Sequence, residues 1–364
     1  MGAPNDYYVH ATEGSDATGD GSIGNPFATH IGALATLTQD STDGDRINIT
    51  GDSVATATIA DSLGTYGTPT AKAPLIFNGL TDGGLNGDAT YSISGAYGSA
   101  PYIHYHNIHL HNCGANNIVE IDNATIVNCE VDTNSGSGKY GVYTRGYSCA
   151  AGCNVHDVDR GIYAYNGGCI EFNYVSDIDG GYAILLGLYS SNAANNIISI
   201  GGSTTGIYAV ERGVVIKNNT ILSAGGTGAG ILITNQQILK HIVNNYIEGF
   251  SGSGGKGISA TDHASSMAQG IIGYNAVYNC ETAYDYDTYG DFILDAGDNE
   301  TLTASGIAKK ITSPFDRFEY FRPLNVGNML RGGYPSGSRM FKGAVPPKFA
   351  VCVPQMIQAG VGVL

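Results

Sequence analysis

Residues 153–177 read CNVHDVDRGIYAYNGGCIEFNYVSD, and two phrases inside this stretch recur through the middle of the chain. One is Asn or Cys, any residue, then an aliphatic: Cys153-Asn154-Val155 and Asn173-Tyr174-Val175. It occurs upstream as Cys129-Glu130-Val131 and downstream as Asn196-Ile197-Ile198, Asn219-Thr220-Ile221, Asn245-Tyr246-Ile247 and Asn275-Ala276-Val277. The aliphatic positions step by 24, 20, 23, 23, 26 and 30 residues, and Leu110 is the candidate for one earlier step. The second phrase runs between these, as Gly141-Val142-Tyr143, Gly161-Ile162-Tyr163, Gly181-Tyr182-Ala183, Gly206-Ile207-Tyr208, Gly230-Ile231-Leu232 and Gly257-Ile258-Ser259.

Two interleaved ladders with one drifting period mark a structural repeat. Each unit holds short β-type runs separated by Gly, Asn, Ser and Asp, and none has the length or 3.6-residue period of a helix. The predicted unit is one coil of a β-solenoid. Its strands pair in parallel with counterparts about 4.8 Å above and below, and only stacking buries the apolar side. The expected inward column is Val131, Val155, Val175, Ile198, Ile221, Ile247 and Val277, with Asn at a bend bonding neighbouring backbone along the stack. The lengthening steps predict longer turns toward the C-terminal coils.

Composition agrees. The 364 residues include 53 Gly, 24 Tyr and no Trp, and only 13% are charged. Gly is costly inside helices, charged helix formers are scarce, and Tyr sits well on pleated surfaces, so an all-β chain is expected. The formal charge of −15 repels phosphate backbones, which argues against nucleic acid as a partner. The longest apolar stretches fall well short of the ~20 residues that span a bilayer, so no membrane span is expected. The opening MGAPNDYYVH lacks the basic and apolar regions of a secretory signal. Seven Cys, none in a CxxC pair, exclude a fully paired disulfide framework.

Four regions are expected: an N-terminal cap (1–40), coils (41–290), a C-terminal lid (291–348) and an apolar docking tail (349–364). In the cap, Asn25 before Pro26 predicts a helix over Pro26 to Leu37, with Phe27, Ile31, Leu34 and Leu37 on its apolar stripe. A solenoid needs such lids because an open terminal coil exposes unpaired strand edges.

At this level the chain resembles the right-handed parallel β-helix family of the pectate-lyase-like type, closest in character to virion and tailspike-type β-helices of phages. The resemblance is carried by Tyr7-Tyr8-Val9, Gly14-Ser15-Asp16, Gly19-Asp20-Gly21, Asn25 to Thr29 leading into Ala33-Leu34, Asp43 to Ile47, the Asn-x-aliphatic coils, and Ser313-Pro314-Phe315 with Gly343-Ala344. It implies a single-stranded right-handed β-helix. Such chains include polysaccharide lyases, glycoside hydrolases, tailspikes and non-catalytic virion proteins, so fold alone does not assign activity.

Four aspartates are the first chemical candidates. Asp157 and Asp177 follow the inward aliphatic by two residues, and Asp159 and Asp179 by four. Counterparts one coil apart stand about 5 Å from each other, a spacing that suits a retaining carboxylate pair or shared Ca²⁺ ligation. The resemblance to lyases implies Ca²⁺ ligands among these four, with Arg160 as proton abstractor. Turn chemistry offers the competing account, Asp capping backbone amides. His156 beside Asp157 is a candidate general acid or base.

Alternation sends His104 and His106 to one face and His109 and His111 to the other, unless Asn107 is a bend, and no carboxylate phrase stands at metal spacing. No metal site is therefore expected there. Tyr143, Tyr163 and Tyr208, with Tyr165 and Tyr182 nearby, form a candidate outward column, suited to stacking on sugar faces or to covering the sheet and a subunit interface. Cys149 and Cys169 fall one coil apart, Cys129 and Cys153 take the Asn-equivalent position, and all four are read as free thiols.

The leading expectation is a structural β-helix protein of a phage virion, displayed outward, homo-oligomeric, contacting other virion proteins and host polysaccharide. By resemblance the oligomer is a trimer. The alternative is a secreted polysaccharide lyase or glycoside hydrolase acting through the aspartate face.

Overall fold

The computed structural model describes residues 4–307, apart from residue 90 and residues 94–100, 115–116, 134–135, 189–190, 211–212, 235–239, 261–269, 287–292 and 295–298. The chain winds as a right-handed parallel β-helix. Among the described residues its strands form three sheets of twelve, eleven and eight strands, here called the first, second and third. Eight turns contribute a strand to each of the three.

The inward column of the second sheet is the predicted one. Val131, Val155, Val175, Ile198, Ile221, Ile247 and Val277 pair in register and are fully buried. Leu110, the candidate earlier step, joins the column, and Leu85 extends it one coil further. The third sheet lines the interior with Val142, Ile162, Ile184, Ile207, Ile231 and Ile258. Gly181-Tyr182-Ala183 is therefore out of phase with its supposed equivalents. Val158 bridges Ile178, yet Ile162 pairs with Ile184, so this coil carries two extra residues, absorbed at Gly180-Gly181. Leu185, and not Ala183, occupies the position of Tyr163 and Tyr208.

The bend between the first and second sheets explains why Asn recurs. Asn173 Nδ2 donates to Asn196 Oδ1 at 3.0 Å and to the Ala150 carbonyl at 2.9 Å, while Asn196 Oδ1 also accepts the Asn173 backbone N–H. The same pattern runs through Asn219, Asn245 and Asn275 to Asn299. Each interior amide is thus satisfied by its neighbours, which removes the penalty of burying it. Cys153 and Cys129 extend the ladder upward with thiols that donate to Ile126 O and Tyr105 O, the carbonyl positions the amides use lower down. The residues before Cys129, Cys153, Asn173, Asn196, Asn219, Asn245 and Asn275 have positive φ: Asn128, Gly152, Phe172, Asn195, Asn218, Asn244 and Tyr274. Asn accepts this conformation readily, whereas Phe172 at φ 60° holds it under the demand of the turn.

At the N-terminal end, α1 spans His30–Thr36 and is capped by Thr29, whose Oγ1 accepts the Gly32 N–H. The expected start at Pro26 fails because Phe27 is extended: its N–H donates to Tyr8 O and its carbonyl accepts from His10. Asp16 then holds the Ala28 and Thr29 amides at the helix entrance. A second helix, α2 (Ile59–Tyr66), was not foreseen; Thr58 and Asp61 cap it reciprocally. Leu34, Ile59 and Leu63 join the main core. The strand Asn5–His10 pairs with Asp45–Thr50, so the first sheet begins inside the segment expected as a cap, and Ile293–Leu294 and Glu300–Thr301 carry sheets past residue 290. Residues 308–364, most of the expected lid and all of the apolar tail, lie outside the described residues. No described helix is long and apolar enough to cross a membrane.

Candidate functional site

Two outer faces carry the chemistry, and the bend at 156–160 separates them. On the second sheet, side chains of successive coils alternate with the buried column. His109 pairs in register with Glu130 and His111 with Asp132. The two imidazoles stack at 4.2 Å, nearly parallel. His109 Nε2 lies 2.9 Å from Asp132 Oδ2, and His111 Nε2 lies 2.9 Å from Asp52 Oδ1. Asp52 reaches that far because Gly84 intervenes on the stack: a Cβ there would sit 2.7 Å from Asp52 Oδ1.

His156 completes this face. Its Nδ1 is 2.7 Å from Asp157 Oδ2, its Nε2 is 3.0 Å from Glu130 Oε1, and Asp132 Oδ2 stands 3.8 Å away. The hydrogen bond to Asp132 leads the forces that raise the His109 pKa. For His156 burial lowers the value, but hydrogen bonds to Asp157 and Glu130 and the charges of Asp132 and Asp157 together outweigh it and raise the pKa. Asp132 pays a desolvation cost that raises its pKa, yet hydrogen bonds from His109 and Thr133 bring it below the ordinary carboxylate value. His156 thus has the environment of an acid–base group.

The four aspartates divide differently. Asp157 and Asp177 both have positive φ, near 50°, with the parallel bridge of Val158 to Ile178 following them. They stack as turn residues, continuing a column that includes Asn112 and Thr133. Asp159 accepts the Gly138 N–H through Oδ2, and that oxygen lies 3.8 Å from Arg160 Nε. Asp177 and Asp179 are exposed. These four do not bring three ligand oxygens together, so the Ca²⁺ arrangement that the resemblance implied does not fit them. The described acidic and imidazole groups that do converge are His109, His111 and Asp132, and Glu130, Asp132 and His156.

Arg160 belongs to the other face. Its guanidinium donates to Tyr140 Oη at 3.2 Å and lies over the rings of Tyr140 and Tyr182 at 5.5 and 5.8 Å. Around it, on the third sheet, Tyr143 meets Tyr163 edge-on at 4.8 Å, Tyr165 stacks on Tyr143 at 6.1 Å, and Tyr182 stacks on Tyr208 at 4.6 Å. Arg145 covers Tyr165 at 5.6 Å. Tyr140, Tyr143 and Leu185 are buried beneath this cover, while Tyr163, Tyr165, Tyr182 and Tyr208 remain half-buried. All five predicted tyrosines therefore join one patch, and Tyr140, Arg145, Leu185 and Val210 are members missed.

Asn107 is the bend on which the histidine reading turned, at φ 53°. His104 and His106 consequently sit on the first sheet, both bonded to Thr125 Oγ1, and burial pushes His104 down to about 4, with His106 adding to the effect. The premise behind the expected absence of a metal site does not hold for His109 and His111, because the carboxylates that meet them come from coils 23 and 59 residues away. Only the coil stacking could have revealed that. Cys149 and Cys169 face each other across adjacent strands of the first sheet as free thiols.

No family model matches this chain, and no curated protein matches it. Among solved structures, a pectate lyase is similar at 13% identity with a TM-score of 0.47, covering 95% of this chain and 96% of that one. A GH136 lacto-N-biosidase from Eubacterium ramulus is similar at 13% identity and TM-score 0.39, covering 81% of this chain and 67% of its own. A pectin methylesterase from Aspergillus niger is similar at 14% identity and TM-score 0.33, over 85% and 94% of the two chains. The parallel register of the strands, and not these distant likenesses, is what establishes the β-helix.

Proposed function

We propose that this chain is a rigid glycan-binding β-helix of the kind displayed on a phage virion, with the tyrosine face of the third sheet as its sugar platform. The observation that carries the reading is one patch in which Tyr140, Tyr143, Tyr163 and Tyr165 are joined to Tyr182 and Tyr208 through Leu185 and Arg160, crossing four neighbouring strands with two guanidinium groups over the rings. Three strand spacings give a platform about 14 Å long. Apolar ring faces flanked by fixed donors suit pyranose faces and their hydroxyls. Trimeric assembly, through the apolar segment 349–364, and contacts with other virion proteins belong to the same reading.

A glycan array should yield a ligand, and Tyr182→Ala with Tyr208→Ala should weaken it at least tenfold while leaving the circular dichroism unchanged. A ligand bound equally well by the double variant, or no ligand on a broad array, overturns the reading. Light scattering of the full chain and of a chain lacking 349–364 tests the trimer; equal masses would remove the tail from the proposal.

One observation favours the second reading, a polysaccharide lyase or glycoside hydrolase in a secreted setting. His156 stands beside Asp157 and Glu130 on the outer face of the second sheet, where these carboxylates raise its pKa. A reducing-end assay on neutral and acidic polysaccharides decides it: cleavage lost in His156→Ala supports the enzyme, and no cleavage by the parent chain ends it.

A further inference from the structure

The imidazole–carboxylate face of the second sheet holds more negative charge than its protons can balance. Asn86 and Thr133 donate neutral hydrogen bonds to Asp52 and Asp132, but the cationic partners that Asp52, Glu130, Asp132 and Asp157 meet among the described residues are His109, His111 and His156, and none of the four pairs with a lysine or arginine. The geometry of His156 sharpens the point. Both of its ring nitrogens face a carboxylate oxygen, Asp157 at 2.7 Å and Glu130 at 3.0 Å. Whichever nitrogen carries the proton of a neutral imidazole, the lone pair of the other points at negative charge. A cation must lie between them for the contact to be attractive.

A proton supplies that cation to one imidazole only. A divalent ion serves the imidazole and the carboxylates together, and the ligand atoms are already gathered in two sets: His109, His111 and Asp132, and Glu130, Asp132 and His156, each within 4.8 Å. Asp132 belongs to both. We propose that this face binds a pair of divalent transition-metal ions that share the Asp132 carboxylate. Mixed imidazole and carboxylate donors select Zn²⁺, Mn²⁺ or Co²⁺ over the all-oxygen preference of Ca²⁺. Asp157 on His156 Nδ1 and Asp52 on His111 act as positioning residues, fixing ring orientation from behind as carboxylates do for metal-bound histidines. The two residues His104 and His106 on the adjoining sheet take no part.

The proposal is independent of the tyrosine face. Its test uses the full chain stripped with a chelator and titrated calorimetrically with Zn²⁺, with Co²⁺ as a spectroscopic probe of imidazole ligation. The parent should take up two equivalents, and Asp132→Asn should take up neither with comparable affinity. His111→Gln and His156→Gln should each retain one, and Asp157→Asn should lose about tenfold in affinity at one position. Circular dichroism checks that each variant is folded; if Asp132→Asn is not, the two histidine variants decide. Zero or one equivalent in the parent, two equivalents surviving in Asp132→Asn, or an unchanged count in both histidine variants overturns the shared centre. Glycan binding measured on the same stripped samples should not change, so failure of either idea leaves the other standing.

Discussion

A single strand, Glu130–Asp132, shows two kinds of order. Val131 points inward into a column repeated in every coil, while Glu130 and Asp132 point outward into a cluster that occurs once. The interior is periodic because each coil must present the same volume and the same hydrogen-bond partners to the next. The outer surface has no such obligation, and it is there that the imidazole–carboxylate cluster and the tyrosine patch lie. Histidine makes the contrast within one residue type. His30, inside, bonds only to Ser53 and has its pKa pushed down to about 4 by burial, against a smaller opposing pull from Asp16. His109, outside, has its pKa raised by Asp132.

The comparison predicts a gradient of effects from inside to outside. Asn219→Ala should be the most damaging, at about 4 kcal/mol, because Asn196 loses an acceptor for two N–H groups and both Ala193 O and Asn245 Oδ1 lose a donor. Denaturant unfolding measures it, and a loss under about 1 kcal/mol would mean the ladder is dispensable. Acid comes next. The unfolded chain protonates His30 near 6.5 but the folded chain only near 4, so stability should fall as pH drops from about 6.5 and level off below about 4. The total is about 3 kcal/mol from this group, with His104 adding to the same slope. His30→Gln should flatten the profile between those limits; an unaltered profile would place the sensitivity elsewhere. Least affected should be Asp177→Asn on the exposed turn, within about 0.5 kcal/mol, since Asn tolerates positive φ as Asp does. A large loss there would show that the carboxylate does more than make a turn.

This gradient also governs what could be read in advance. The inward aliphatic column and the Asn/Cys position were visible because both recur in phase, so stacking them needed no coordinates. The start of α1 was misplaced because Pro26 after Asn25 is a strong local signal that loses to the backbone bonds between Phe27 and the strand Asn5–His10. The Gly181 phrase slipped by two residues because an insertion at a bend leaves no mark in a repeat of similar words. Asp157 with His156 was legible as a neighbouring pair, whereas Glu130 and Asp132 were not, being joined to His156 only through the coil above.

The sequence alone determined the winding, since residues in a repeated phase must lie over one another once each strand pairs with its counterpart about 4.8 Å away. Tertiary structure decided everything that depends on which outward side chains are neighbours. The contacts that join His109 to Asp132, His156 to Glu130 and Asn173 to Asn196 link residues 23 to 26 positions apart in the chain, and turn insertions shift that distance from coil to coil. The meeting of Asp52 with His111 across Gly84, and of Arg160 with Tyr140 and Tyr182, therefore exists only where the register of the coils is known.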